Sequence, residues 1–171
     1  IILLSLFVLC LAGIMLQTNQ GAVNEKTTQT LVNNEKIEPI TKTSAQYDLS
    51  FIHVDNNWSA TEAEDWCYKI GNTYYIENVS IDSGDTYGIR IENSIEYFVI
   101  KNCTIRNPDY GIFLNNANNG TLMNNNITNN LQESIALWAS DNCTIFNNTI
   151  FDGAYGIRLQ NSAVCDIIQN Q

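Results

Sequence analysis

Six residues carry the groups best suited to meet a ligand: Arg90, Glu92, Phe113, Asn115, Trp138 and Arg158. They come from four related segments, "YGIRIEN" (87–93), "YGIFLNN" (110–116), "SIALWAS" (134–140) and "YGIRLQN" (155–161). The first and last alternate apolar and polar residues, which is the period of a strand. If Ile89 and Ile91 turn inward, Arg90 and Glu92 must turn outward. Stacking the segments gives one outward row of Arg90, Phe113, Ala136 and Arg158. A second row holds Glu92, Asn115, Trp138 and Gln160. An exposed aromatic pair flanked by guanidinium and amide groups can stack on pyranose rings and hydrogen-bond their hydroxyls. The six are therefore expected to form a binding face for a polysaccharide, a cell-surface glycan or another partner. A plainer reading is scattered surface aromatics, which need no explanation.

Other chemistry is thinly supported. His53 is the sole histidine and falls outside the repeats, so no Ser/His/Asp or Cys/His set can be assembled. Asp82, Asp85, Asp109, Asp152 and Asp166 are the carboxylates that could act, but aspartate in loops is ordinarily turn chemistry. No catalytic residue, metal ligand or cofactor is expected. Cysteines stand at 10, 67, 103, 143 and 165, without the close spacing of a metal site. Buried free thiols are the favoured reading. A Cys143–Cys165 disulfide is an alternative, with the two registers differing by about one residue. Seven N-x-[ST] sequons begin at Asn57, Asn78, Asn102, Asn119, Asn126, Asn142 and Asn147. Asn78, Asn102 and Asn147 are expected to be inaccessible.

What positions these residues is a repeat. Apolar residues Ile76, Ile100, Leu122, Ile145 and Ile168 each precede an asparagine by two places: Asn78, Asn102, Asn124, Asn147 and Asn170. The asparagines are separated by 24, 22, 23 and 23 residues. The four strand segments keep the same beat, with steps of 23, 24 and 21. Periods in this range mean a solenoid. The repeats are rich in Ile, Thr, Tyr and Phe, and the only prolines are Pro39 and Pro108. The expected fold is all-β: a right-handed parallel β-helix with one coil of about 21–24 residues per repeat. Asparagine suits the left-handed corner between strands. Its amide can also bond the asparagine of the next coil. Asn78, Asn102, Asn124, Asn147 and Asn170 are thus expected to form an inward-pointing structural ladder. Asn93, Asn116 and Asn161 suggest a second one, broken at Ala139.

Composition sets the outer limits. The chain has 171 residues and a formal net charge of −10, which excludes a general nucleic-acid binder. Residues 1–16 carry no charge and read as a signal-peptide core or membrane anchor. Residues 17–46 read as a flexible polar linker. Residues 47–72 read as an N-terminal cap, with a short helix over about 60–69 started by the "SATE" capping box, and with Trp58, Trp66 and Tyr68 covering the first coil. Residues 73–171 read as coils, expected to be truncated at the C-terminus because "IIQNQ" stops within a repeat.

The segments "YYIENVSID", "YGIRIENSIEYFVIKNCTIRN", "YGIFLNNANNGTLMNNNITNN" and "NCTIFNNTI" resemble the parallel β-helix repeat proteins of the pectin-lyase-like superfamily, and within it the NosD-like group. The resemblance covers about residues 47–171 and implies the β-helix fold with carbohydrate binding or sugar-bond cleavage; the NosD-like group implies copper-enzyme maturation. The Asp-Pro-His motif of alginate epimerases is missing, as is a Lys/Arg pair placed as in pectate lyases. The expectation is an extracellular or cell-surface scaffold, non-catalytic, that presents a carbohydrate- or partner-binding face. Two alternatives stand beside it: a piece of a polysaccharide lyase or hydrolase with catalytic coils beyond residue 171, and a periplasmic metal-delivery accessory protein.

Overall fold

The computed structural model describes residues 46–171; the expected signal peptide or anchor, nearly all of the expected linker and Cys10 lie outside the described residues. Among the described residues, sixteen strands and one helical turn follow one another. They are β1 (Tyr47–Leu49), β2 (Ile52–Asp55), α1 (Trp58–Thr61), β3 (Cys67–Ile70), β4 (Thr73–Glu77), β5 (Val79–Asp82), β6 (Tyr87–Ser94), β7 (Tyr97–Lys101) and β8 (Thr104–Arg106). Then come β9 (Tyr110–Ala117), β10 (Gly120–Met123), β11 (Asn126–Thr128), β12 (Glu133–Trp138), β13 (Thr144–Phe146), β14 (Thr149–Phe151), β15 (Tyr155–Gln160) and β16 (Asp166–Ile168). Every third strand from β4 onward joins the same sheet. One sheet runs β1-β5-β8-β11-β14, the second β2-β6-β9-β12-β15, and the third β3-β4-β7-β10-β13-β16. All pairings are parallel except β3 with β4. The result is a parallel β-solenoid of about four turns.

The core is a set of columns along the solenoid axis. Ile76, Ile100, Leu122 and Ile145 stack in the third sheet, and all are fully buried. Ile81, Ile105 and Ile127 do the same in the first sheet. Ile89, Ile112 and Ile135 and, two places on, Ile91, Leu114 and Leu137 fill the second. Each such side chain contributes about 1.5–3 kcal/mol on leaving water. Because identical positions stack, one mismatch in a column is felt by two neighbouring coils.

The corners depart from the expected ladder by one residue. Asn78, Asn102, Asn124 and Asn147 adopt the left-handed conformation, with φ of 58, 55, 56 and 51°. Asn102, Asn124 and Asn147 are nevertheless exposed and Asn78 is half-buried, so they do not point inward and the sequons at Asn102 and Asn147 are not inaccessible. The left-handed turn swings the corner side chain out and brings the next residue in. That next column is Val79, Cys103, Asn125, Asn148 and Asn170. Asn125 Nδ2 donates to Asn148 Oδ1 and Asn148 Nδ2 to Asn170 Oδ1, both at 2.9 Å. The last coil is likewise shifted from the expected register. Ile167, not Ile168, pairs with Ile145, so Gln169 takes the corner with φ of 55°. Asn170 belongs to the buried row.

A second corner carries Asn93, Asn116, Ala139 and Asn161, all left-handed with φ of 46–53°. Asn116 Nδ2 donates to Asn93 Oδ1 at 3.1 Å, on the outside of the solenoid.

The stretch expected to be a cap already begins the coil. β1 and β2 pair in parallel with β5 and β6. Only α1 and β3 leave the repeat. α1 is a single turn starting at Trp58 behind Asn57, without a side-chain cap, rather than a helix over 60–69 started by Ser59. Trp58 is buried, stacks on Tyr74 and Phe98 at 4.8 and 5.4 Å, and donates from Nε1 to Ser94 Oγ at 2.8 Å. That packing, not a capping box, fixes the turn.

Candidate functional site

The outer surface of the second sheet collects the expected binding residues in the expected rows. Arg90 pairs with Phe113, Phe113 with Ala136, and Ala136 with Arg158. Glu92, Asn115, Trp138 and Gln160 align in the adjacent row. A third outward row, Tyr87, Tyr110, Glu133 and Tyr155, was not anticipated. It changes the chemistry. Phe113 was expected to be exposed, but it is only 3% exposed. The rings of Tyr87, Tyr110 and Trp138 lie 5.0, 5.3 and 5.1 Å from it, and the Arg90 guanidinium 5.9 Å. Phe113 is therefore the floor of an aromatic cluster, and Trp138, half-buried, is one of its walls.

His53 enters the site through β2. Pairing of β2 with β6 sets His53 beside Arg90 and Asp55 beside Glu92. His53 Nε2–H donates to Glu92 Oε2 at 2.9 Å. Arg90 Nη2 donates to Glu92 Oε1 at 2.7 Å, and Asn115 Nδ2 to the same oxygen at 3.0 Å. Glu92 is 8% exposed. Burial alone would push its carboxyl up, but the hydrogen bonds from Asn115, Arg90 and His53 more than offset it and hold the group below its ordinary value. Beside this network lies a pocket of about 200 Å³ lined by Phe51, His53, Asp85, Thr86, Tyr87 and Arg90. The Arg90 guanidinium lies over the Tyr87 ring at 4.6 Å.

The far end of the surface repeats the theme. Arg158 Nη1 donates to Glu133 Oε1 at 2.6 Å. That hydrogen bond raises the Arg158 guanidinium further, so it stays charged. Glu133 is 2% exposed, and its Oε2 has no partner. Arg90 Nε and Trp138 Nε1 are likewise buried and unpartnered. Each arginine is thus committed to a glutamate, while one acceptor and two donors stand unused. Among the described residues, no group of three or more His, Cys, Asp or Glu is placed to hold a metal ion.

Parallel coils, three sheets and left-handed asparagine corners identify the scaffold, and comparison with known families agrees. The family described as right-handed β-helix region matches residues 43–171. The chain belongs to the right-handed β-helix family. Neither a characterised protein nor a solved structure matches it significantly. In this β-helix the six expected residues do share one surface, but Phe113 forms its base rather than its exposed face. His53, Asp85 and Tyr87 are the additions. His53 was legible only once "IHVD" was assigned to a coil, because its partner Glu92 lies 39 residues away.

Proposed function

We propose that the chain is an extracytoplasmic, non-catalytic β-helix scaffold whose second sheet binds a neutral carbohydrate. The observation that carries the reading is the pocket walled by the Phe51 and Tyr87 rings with Asp85, His53 and Arg90 at its polar edge. Aromatic faces supply the apolar contact a pyranose ring offers, and a carboxylate with a donor beside it suits paired hydroxyls. A neutral ligand is favoured over a uronate because Arg90 and Arg158 are already neutralised by Glu92 and Glu133 and the chain carries −10 overall. Placement outside the cytoplasm rests on the uncharged apolar run at residues 1–16, and affinity to the pectin-lyase-like and NosD-like proteins rests on the motif spellings.

The test is a glycan array probed with wild type, Tyr87→Ala, Asp85→Asn and Trp138→Ala, each checked for fold by circular dichroism. Wild type should retain neutral hexose polymers. Tyr87→Ala and Asp85→Asn should lose them, and Trp138→Ala should weaken longer chains more than short ones. Wild type binding no glycan, or the three variants binding like wild type, refutes the reading.

A further inference from the structure

One inward column of the third sheet runs Tyr74, Phe98, Gly120, Cys143 and Cys165. Pairing of Thr144 with Asp166 sets Cys143 and Cys165 directly opposite on adjacent coils, correcting the one-residue offset expected from sequence. Asp166 N donates to Cys143 O at 2.9 Å. The two thiols copy each other's contacts. Cys143 Sγ donates to Asp141 O at 3.5 Å and Ala117 O at 3.6 Å; Cys165 Sγ donates to Ala163 O and Ser140 O, both at 3.4 Å. Their side chains therefore leave parallel strands in the same direction. Paired strands lie about 4.7–4.9 Å apart, within the roughly 4.4–6.8 Å Cα separation a disulfide spans. Among the described residues no other thiol shares this column: Gly120 precedes Cys143, with the Phe98 ring over it. Cys103 sits in a different column, between Val79 and Asn125.

We propose that Cys143 and Cys165 are an oxidisable pair whose disulfide fastens the coil carrying β16 to the coil carrying β13. Cys165 is the more exposed and reacts first. Its thiolate attacks a small-molecule disulfide, forming a mixed disulfide and expelling one thiolate. Cys143 then loses its proton and attacks Cys165 Sγ, releasing the second thiolate. In total two protons and two electrons leave the protein, and one oxidant disulfide becomes two thiols. Burial pushes the Cys143 thiol up to about 12, so the second step is slow near neutral pH and accelerates as pH rises.

The experiment incubates the folded full chain with oxidised glutathione, quenches exchange with acid, blocks remaining thiols in denaturant and digests with trypsin. Arg106 and Arg158 place the two cysteines in separate peptides, 107–158 and 159–171. The expected product is these peptides joined, separable by reductant, with Cys103 still blocked as a free thiol. Cys143→Ser should stop at a glutathione adduct on Cys165. The oxidised wild type should melt roughly 5 °C or more above the reduced form, with no such shift in Cys165→Ala. A persistent glutathione adduct on wild-type Cys165, linkage seen only after unfolding, or an unmoved melting point overturns the proposal. The wild-type peptide map decides the chemistry even if a variant fails to fold.

Discussion

Asn148→Leu should be among the most damaging single substitutions in the solenoid, and the structure says why. Asn148 is 1% exposed and makes four side-chain hydrogen bonds. Its Oδ1 accepts from Asn125 N at 3.0 Å and Asn125 Nδ2 at 2.9 Å. Its Nδ2 donates to Leu122 O and Asn170 Oδ1, both at 2.9 Å. Leucine removes all four. Asn170 Oδ1 keeps a donor, because Asn148 N still reaches it at 2.9 Å. Asn125 N, one Asn125 Nδ2 proton and Leu122 O keep none of the bonds they had to this side chain. An orphaned buried group costs about 1–3 kcal/mol. The three are coupled and the added apolar surface offsets part, so a total of about 3–5 kcal/mol is expected. Asn147→Gly is the control one residue away. Asn147 is exposed, its φ of 51° suits glycine, and it gives up only an outer hydrogen bond to Asn124. Its cost should stay below about 1 kcal/mol. Urea unfolding followed by circular dichroism measures both, provided the slopes agree. Equal costs, or an Asn148→Leu cost below about 1 kcal/mol, would refute the assignment of the buried row.

Ala139 holds a left-handed corner, φ 46°, in a column of asparagines, so Ala139→Asn should stabilise by up to about 1 kcal/mol, read as a raised urea midpoint. Gly120→Ala would set a methyl 2.5 Å from Phe98 Cζ in the core, costing about 1–3 kcal/mol, and Phe98→Leu in the same chain should recover part of it in a double-mutant cycle. Glu92 is held below its ordinary value, so it binds fewer protons folded than unfolded near pH 4. Its contribution is complete above about pH 5 and is lost as pH falls through the folded value, and Glu92→Gln should flatten that part of the stability–pH curve. Cys103 is buried with its thiol pushed up to about 12, so it should resist iodoacetamide at pH 8 until the chain is unfolded.

The repeat, the strand faces and the outward rows were legible because they rest on periods of two and of about 23 residues, and both survive local variation. The buried ladder was misplaced because asparagines come in doublets. At Asn124–Asn125 and Asn147–Asn148 the sequence offers two candidates, and only the sign of φ says which turns the corner and which goes inside. The same ambiguity slipped the last coil, where Ile167 and Ile168 are interchangeable by hydropathy. Phe113 looked exposed because alternation assigns a face, not a neighbourhood. The tyrosines of "YGI" had no place in the two expected rows, yet Tyr87 and Tyr110 lay their rings against it.

In a solenoid every coil offers the same outward positions, so the backbone alone cannot favour one site over another. Selectivity must come from departures from the repeat. The tyrosine row is broken by Glu133, the row of Arg90 and Arg158 by Phe113 and Ala136, and the row of Glu92 and Asn115 by Trp138. All four departing residues lie on the second sheet, as do the unpartnered Glu133 Oε2, Arg90 Nε and Trp138 Nε1. A buried carboxylate oxygen without a donor costs stability, so a scaffold under no other demand would place tyrosine at 133 as it does at 110 and 155. Glu133→Tyr therefore separates the two pressures: it should raise the melting point while weakening glycan retention. A variant that is both less stable and equally retentive would show that Glu133 serves the fold through Arg158 and not the surface.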